Sequence, residues 1–206
     1  MMGSNNRYKD EKPVHRVTVE AFAIGKYEVT QGQWKAVMGK NPSNFTECGD
    51  DCPVEKVSYN DIEDYIARLN RITGGRYRLP TESEWEYACR AGGNHEYCGS
   101  DDADEVGWYI GNSGIRTHIV GIKQANTFGL YDMSGNVMEW TCSAYTKNGN
   151  GYDGSEKLCT DDARVESVIR GGSWFSARAL LRSANSTWGL RDFGHFNLGF
   201  RLAQDK

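Results

Sequence analysis

The sequence predicts an α+β domain, and two observations carry that prediction. Three capping boxes, each followed by apolar residues at helical spacing, lie before about residue 92. Beyond them no helical period survives, and short extended pieces alternate with turns in a chain that has 24 Gly and 6 Trp. Because no Pro- or Ser-rich linker divides the chain, we expect one domain over residues 1–206 whose C-terminal half is irregular.

The chain begins with extended segments and a first helix. Residues 14–20 alternate between apolar and polar side chains and predict a strand, and a second extended piece follows Gly25. The helix begins at the capping box of Thr30 and Gln33, where each side chain can satisfy the other residue's backbone amide. It ends at Gly39, a residue typical of helix C-termini.

Two further helices follow the same rule. The second begins at the box of Ser58 and Asp61 and ends before Gly74. Its apolar residues fall at i, i+3, i+4 and i+7 and are Ile62, Tyr65, Ile66 and Leu69. The third begins at the box of Thr81 and Glu84, directly after a proline.

The composition excludes several classes of protein. The chain is 38% hydrophobic and 25% charged, which is typical of a globular domain, and no apolar run approaches the ~18 residues that span a bilayer. The net charge of −4 argues against nucleic acid as a partner. The N-terminus, MMGSNNRYKDEK, has no apolar leader segment, so we expect a cytosolic protein or one whose leader is absent from this chain.

The six cysteines predict disulfides rather than a metal site. Cys48 and Cys52 bracket a tight acidic loop and are the pair that the spacing favours, while the pairing of the other four stays open. The chain has no Cys-x-x-Cys motif and no His-x-x-x-His near a cysteine, so a structural zinc site is not expected. Disulfides favour an oxidising compartment.

Several motifs, taken in order, resemble one superfamily. They are IGKYEVTQGQW, PVEKVSYNDIEDYIARLN, YRLPTESEWEYACRAG, NTFGLYDMSGNVMEW, VIRGGSW and NLGFRLA, and they span nearly the whole chain. In this set and order they resemble the formylglycine-generating enzyme (sulfatase-modifying factor) superfamily. The resemblance implies a C-type lectin-like fold with a small twisted antiparallel sheet, two main helices and many irregular loops.

The same resemblance argues against the family's oxidase chemistry. Those oxidases use two cysteines, five residues apart, to bind copper and react with a substrate cysteine. Aligning the RGGS-aromatic motif with residues 170–174 places these positions at Ser176 and Leu181. A hydroxyl and an isobutyl group cannot replace two soft thiolate ligands for Cu(I). We therefore expect that the chain is not an enzyme and has no catalytic cofactor.

The C-terminal segment more closely resembles another branch of the superfamily, the variable proteins of diversity-generating retroelements. In that branch the segment ending in GFRLA is rewritten at adenines, mostly in Asn-type codons, which cannot yield Trp, Lys, Gln, Glu or Met. Lys, Gln, Glu and Met are all absent between Phe175 and Asn197, although Trp188 occurs there. We expect the variable region to span about residues 173–203.

This interpretation predicts a ligand-binding surface. Aromatic anchors bury much area at little cost in rotamer freedom, and small neighbours let a partner approach. The candidate ligand-binding residues are Phe175, Ser176, Ala179, Leu180, Ser186, Thr187, Gly189, Leu190, Phe193, Gly194, His195 and Phe196. The residues interpreted as the frame between them are Trp174, Arg178, Arg182, Trp188 and Arg191. The alternative is that some candidates, Leu180 or Phe193 above all, are core residues.

The resemblance also implies a structural Ca²⁺ site in GLYDMSGNVMEW. Its ligands would be the side chains of Asp132 and Glu139 and the carbonyl oxygens of Gly135 and Val137. Two carboxylates with backbone oxygens in a tight turn suit a hard cation. The alternative is that the same turn closes through hydrogen bonds alone.

The leading hypothesis is therefore a non-enzymatic binding protein that presents a diversified surface to an exposed target. We expect that target to be a protein. Such binding proteins are commonly exported or displayed at the cell surface, although the sequence does not exclude the cytoplasm. Two alternatives stay open. One is an oxidase of the formylglycine-generating type, and the other is a non-variable member of the superfamily with a structural or regulatory role.

Overall fold

The computed structural model describes residues 1–9, 11–145, 159, 162 and 164–206. Short helices and short strands are joined by long irregular segments. In chain order the elements are β1 (Phe22–Ile24), α1 (Gln31–Met38), a 3₁₀ turn (Thr46–Cys48), α2 (Tyr59–Thr73), β2 (Tyr77–Arg78), α3 (Glu82–Arg90), α4 (Ala103–Val106), β3 (Met138–Ala144), β4 (Ser167–Arg170), a 3₁₀ turn (Arg178–Leu180), β5 (Ser186–Gly189), β6 (Leu198–Gly199) and β7 (Ala203–Asp205).

The three predicted capping boxes are confirmed. At α1 the Thr30 hydroxyl accepts from the amide of Gln33 at 3.3 Å, and the Gln33 side chain accepts from the amide of Thr30 at 3.0 Å. The equivalent boxes open α2 and α3. Gly39 ends α1 in the left-handed region with φ of 77°, a conformation that costs glycine little.

The strands form two small sheets. One has the order β1-β7-β2 and is antiparallel, and the other has the order β5-β4-β3-β6 with β6 running parallel to β3. The predicted strand over residues 14–20 is wrong. The first strand begins at Phe22, because β7 pairs with Phe22–Ile24. Residues 14–20 contribute a single bridge, from His15 to Met2, among the residues described. The second predicted extended segment, which follows Gly25 and lies within the described residues, also forms no strand.

The main core lies between the helices and the four-stranded sheet. Trp34 of α1 stacks on Tyr65 of α2 with ring centroids 5.0 Å apart, and Phe200 meets both rings edge-on. A second cluster forms around the buried indole of Trp85 in α3. The sequence motifs of the first 90 residues thus supply the helices that cover the sheet.

Buried ion pairs connect the C-terminal segment to the rest of the chain. Arg201 and Glu139 are both fully buried and share hydrogen bonds of 2.7 Å through two guanidinium nitrogens. Two similar buried pairs are Arg170 with Glu86 and Arg182 with Glu11. Removing one partner of such a buried pair strongly destabilises the fold, because the remaining buried charge would be uncompensated.

All six cysteines are paired. Cys48 bonds Cys52, as the spacing predicted, and the remaining bonds join Cys89 to Cys98 and Cys142 to Cys159. Within the described part of the chain, the helices are too short or too polar to cross a bilayer.

Candidate functional site

Four aromatic rings form a contiguous surface above the buried Trp174. We call Phe175, Phe193, His195 and Phe196 the aromatic face. The ring of Trp174 lies 5.2 Å from that of Phe175 and 5.6 Å from that of Phe196. His195 contacts Phe196 at 3.9 Å and stacks on Phe193 at 5.6 Å. Phe175 and Phe193 are each about half exposed, at 48% and 49%.

Backbone hydrogen bonds connect this face to the scaffold, although its own segment has little regular structure. The Trp174 amide donates to the carbonyl of Asn136 at 2.8 Å, and its indole donates to the carbonyl of Phe196 at 3.3 Å. The Lys56 amide donates to the carbonyl of His195 at 3.0 Å. Irregular backbone is therefore held at several points by residues distant in sequence.

Gly172 lets the segment turn toward this face. Its φ is +68°, and a Cβ there would lie 2.9 Å from the carbonyl oxygen of Leu180. Both the conformation and the close approach require glycine. The GGS motif thus directs the chain from strand β4 to the aromatic face.

The structure places the twelve candidate ligand-binding residues unevenly. Six are exposed, namely Phe175, Leu180, Thr187, Leu190, Phe193 and Gly194. Four are half-buried, namely Ala179, Ser186, His195 and Phe196. Leu180 and Phe193 are therefore not core residues. A role in binding stays a prediction for all of these ten.

Ser176 and Gly189 are buried, so the structure does not display them. The Ser176 hydroxyl lies inside the turn, where it accepts a hydrogen bond from the Ser173 amide at 3.0 Å. A Cβ on Gly189 would lie 2.8 Å from the ring of Trp140, which explains the need for glycine in β5. Both residues serve the scaffold in this conformation.

The interpretation of the frame also needs correction at two residues. Trp174, Arg182 and Arg191 are buried, but Trp188 is 43% exposed and stacks on Tyr145 at 5.6 Å. Arg178 is exposed and pairs with Asp102 and Asp104 at 2.5 and 3.1 Å. Trp188 lies on the edge strand β5, where the neighbouring Thr187 and Trp188 are both exposed, so alternation along the strand does not indicate its exposure.

Phe45 is a site residue that sequence reasoning missed. Its ring meets Trp174 edge-on at 5.1 Å, although 129 positions separate the two in sequence (174 − 45). The buried carboxylate of Glu55 accepts from the Phe45 amide at 2.8 Å and so positions this loop. Burial raises the pKa of Glu55 to about 7. No local pattern indicates such a long-range contact.

The two positions where the related oxidases have cysteines hold no thiol. Ser176 lies in the turn described above, and Leu181 is fully buried with Tyr97, Ala103 and Val106. Because all six cysteines of the chain are in disulfides, no other thiol replaces them. Thiolate chemistry with Cu(I) has no ligands at this place.

The four residues of the predicted calcium site lie in a buried, charged turn. Both oxygens of Glu139 accept from Arg201 at 2.7 Å, and one also accepts from the indole of Trp85 at 2.7 Å. Asp132 accepts from the Gly121 amide through Oδ2, while its buried Oδ1 has no partner in the described structure. Burial raises the pKa of Asp132 to about 6.

A carboxylate from a distant part of the chain contacts the same turn. Glu28 accepts from the Val137 amide at 3.0 Å and from the Asn136 side chain at 2.7 Å. Burial, followed by the charges of Asp132 and Glu139, raises the pKa of Glu28 well above its usual range.

These contacts fit a hydrogen-bonded turn rather than a cation cage. Arg201 already occupies both oxygens of Glu139, and within residues 1–9, 11–145, 159, 162 and 164–206 no three His, Cys, Asp or Glu are arranged to hold a metal ion. Among the described residues of this turn, the unpartnered Oδ1 of Asp132 favours a cation. Structural calcium stays what the resemblance implies, and the hydrogen-bonded turn is the alternative that these contacts favour.

The fold and this site define a class of protein. The model of the family described as "Sulfatase-modifying factor enzyme 1-like domain" matches residues 1–206. The chain belongs to this family, as the six ordered motifs predicted.

Curated relatives include active and inactive members. The chain is 36% identical to chaperone protein LppX of Paenibacillus barcinonensis, over 66% of each protein. It is 25% identical to the formylglycine-generating enzyme of Mycobacterium tuberculosis, over 99% of this chain and 94% of the enzyme. It is 32% identical to the inactive C-alpha-formylglycine-generating enzyme 2 of Mus musculus, over 73% of this chain and 48% of that protein. The chain thus spans half to two thirds of the length of some relatives.

Solved structures confirm the fold. Treponema denticola variable protein 1 superimposes with a TM-score of 0.89 at 27% identity, covering 100% of this chain and 91% of that one. PvdO from Pseudomonas aeruginosa gives 0.85 at 28% identity, covering 100% and 90%. The Major Tropism Determinant U1 variant gives 0.52 at 12% identity over 88% and 50%, which shows a shared fold alone. The predicted likeness to variable proteins is therefore confirmed.

Proposed function

We propose that the chain is a non-enzymatic binding protein of the variable class that presents its C-terminal surface to an exposed protein target. The observation that carries the proposal is the aromatic face. Its rings are partly exposed within residues 173–203, while Trp174 beneath them and Asn136, which accepts from the Trp174 amide, are buried. Exposed aromatic rings grouped in this way are typical of interaction surfaces.

The proposal has a physical basis: the exposed rings that would contact a partner are distinct from the residues that hold the backbone. Phe175 and Phe193 expose large apolar surfaces that water solvates poorly, so their burial by a partner is favourable. Gly194 beside them is exposed and small, which leaves room for a partner's side chain. Tight backbone hydrogen bonds reduce the entropy that the segment would lose on binding.

The chemistry at Ser176 and Leu181 supports binding over oxidation. A thiol-based copper oxidase needs two soft ligands at these positions, and the chain offers one hydroxyl and one buried isobutyl group. The similar mouse protein is named as inactive, and the similar Treponema protein is named as variable. The first name is consistent with a scaffold that works without catalysis, and the second with a scaffold that varies.

A location outside the cytoplasm is part of the proposal. Three disulfides support an oxidising compartment. We expect no alkylated cysteine when the natively purified protein is treated with iodoacetamide under denaturing, non-reducing conditions and analysed by mass spectrometry. Six modified thiols would instead indicate a reducing compartment.

The flanking DNA tests the variable class most specifically. We expect a reverse transcriptase gene beside a near-copy of the sequence that encodes residues 173–203, differing from it at adenines. The codons of the exposed residues Phe175, Thr187 and Phe193 should differ from the copy, and that of the buried Trp174 should match it. A locus with no such copy would contradict the proposal and favour a non-variable family member.

A copper experiment tests the enzymatic alternative. The chain and the mycobacterial formylglycine-generating enzyme, as a positive control, are titrated with Cu(I) in competition with bicinchoninic acid. Each is then given a cysteine-containing peptide and oxygen. We expect stoichiometric Cu(I) binding and peptide oxidation for the control alone. Oxygen-dependent oxidation of the peptide by the chain would overturn the binding-protein proposal.

A further inference from the structure

A cleft on the scaffold lies beside the aromatic face. It has a volume of about 380 Å³ and is bounded by two irregular stretches of chain, residues 44–48 and 116–122. Phe45 connects it to the aromatic face, because its ring also packs on Trp174. The volume falls within the range of about 300–1,000 Å³ that is usual for small-molecule sites.

The apolar part of the lining is solvent-exposed. Ile119 and Ile122 are 45% and 62% exposed and line the cleft together with the ring of Phe45. Covering exposed isoleucines in a concave site with an apolar group lowers the free energy, because apolar surface is removed from water. The cleft therefore favours a ligand with an apolar body.

Thr117 supplies an independent sign of a ligand. Its residue is only 1% exposed, and it lines the cleft. Its Oγ1 is buried and has no hydrogen-bond partner in the described part of the chain. Buried hydroxyl groups are nearly always paired, because an unpaired one loses its hydration without compensation. Oγ1 has almost no exposed surface in this conformation, so a ligand oxygen in the cleft would provide the missing partner after rotation of the Thr117 side chain.

One cationic side chain of the lining is available to an anion. Arg116 is exposed and lines the cleft, and no ion pair involves it among the residues that the structure describes. Together with Lys123 it acts electrostatically on His118, whose pKa is lowered by burial and then by these two cations. Glu47 is the one carboxylate of the lining, and among the described residues it forms no ion pair with Arg116, so the guanidinium is available to an anionic ligand.

We infer that this cleft binds a small organic anion with an apolar body. The apolar body packs on Phe45, Ile119 and Ile122, Arg116 binds the anionic group, and the Thr117 hydroxyl donates to one of its oxygens. The site uses scaffold residues outside 173–203. It therefore goes beyond the proposed function and does not depend on whether the C-terminal segment is diversified.

A matched pair of probes tests the inference. 3-Phenylpropionate carries an apolar ring and a carboxylate, and 3-phenylpropanamide is its neutral counterpart. Each is titrated into the full chain while ¹H–¹⁵N NMR spectra are recorded. We expect saturable shifts at Phe45, Thr117 and His118, with the carboxylate binding about tenfold more tightly than the amide. Equal affinity of the two probes, or no saturable shift at these residues, would overturn the inference.

Three variants locate the contacts. Arg116→Met should weaken binding of 3-phenylpropionate about tenfold, and Arg76→Met, which removes an exposed arginine on the Gly-rich turn after α2, should leave it unchanged. Thr117→Val should weaken binding several-fold while thermal stability stays equal or rises, because the unpartnered hydroxyl is gone. Equal losses for both arginine variants would contradict a carboxylate site at Arg116. Loss of stability without loss of affinity in Thr117→Val would show that the hydroxyl is structural.

Discussion

Residues 30–90 and residues 170–201 are ordered by different physical means. The first region consists of helices whose boundaries follow from local rules, with a capping box at each start. The second has little regular structure and depends on contacts far apart in sequence, such as Arg182 with Glu11 and Arg201 with Glu139. A segment held by a few buried anchors can vary at the positions between them without losing its shape.

The clearest test of this difference compares a buried arginine with an exposed one. Arg201→Met leaves Glu139 buried beside Glu28 and Asp132, so we expect a loss of about 5 kcal/mol in the free energy of unfolding. Arg178→Met removes two exposed ion pairs and should cost less than about 1 kcal/mol. Urea denaturation measures both. Similar losses would show that the buried pair is not an anchor.

The two tryptophans of the segment should differ in the same way. Trp174 is 2% exposed, and Trp174→Ala should cost about 4 kcal/mol because it removes the ring beneath the aromatic face. Trp188 is 43% exposed, and Trp188→Ala should cost about 1 kcal/mol. The measurement is again urea denaturation at neutral pH. A larger loss for Trp188→Ala than for Trp174→Ala would show that Trp188 does hold the backbone of the segment.

Glu55 links the first region to the site and gives a pH dependence. Its pKa is about 7 in the folded chain against an ordinary value of 4.5, so the folded state keeps a proton that the unfolded state has lost. Stability should therefore fall as pH rises from 4.5 through 7, by about 3 kcal/mol at pH 8. Asp132, with a pKa of about 6, adds a decline of the same sign.

The variant Glu55→Gln should reduce this decline, since the amide can still accept from Phe45 and never ionises. Unfolding free energies between pH 4.5 and 8 provide the measurement. The matched control is Glu20→Gln at an exposed carboxylate, which should keep the slope of the unchanged chain. The same slope in both variants would contradict the role given to Glu55.

The smallest expected effect concerns calcium. Because Arg201 occupies the carboxylate of Glu139, we expect the melting temperature to stay within about 1 °C when 1 mM EDTA is replaced by 1 mM CaCl₂. Mg²⁺ at the same concentration is the control for ionic effects. A Ca²⁺-specific rise in melting temperature would contradict the hydrogen-bonded turn and support the cation at Asp132.

The same contrast explains what the sequence could predict. The starts of α1, α2 and α3, the ends of α1 and α2, and the bond between Cys48 and Cys52 follow from local patterns, and each is confirmed. The family follows from the resemblance of the ordered motifs and is confirmed as well. The strand over 14–20 fails because alternation does not specify a pairing partner. The burial of Ser176 and Gly189, the exposure of Trp188, and the contact of Phe45 with Trp174 depend on long-range packing, which no local pattern encodes.

The central claim is that exposed residues of the C-terminal segment can change while the buried anchors keep the fold. The most direct measurement is the unfolding free energy of a variant in which Phe175, Leu180, Leu190 and Phe193 are all replaced by Ser. Because each side chain is 38% exposed or more, we expect this variant to fold and to lose less than about 2 kcal/mol in total, half the loss expected for Trp174→Ala alone. A fourfold variant that fails to fold, or that loses more than Trp174→Ala, would contradict the claim.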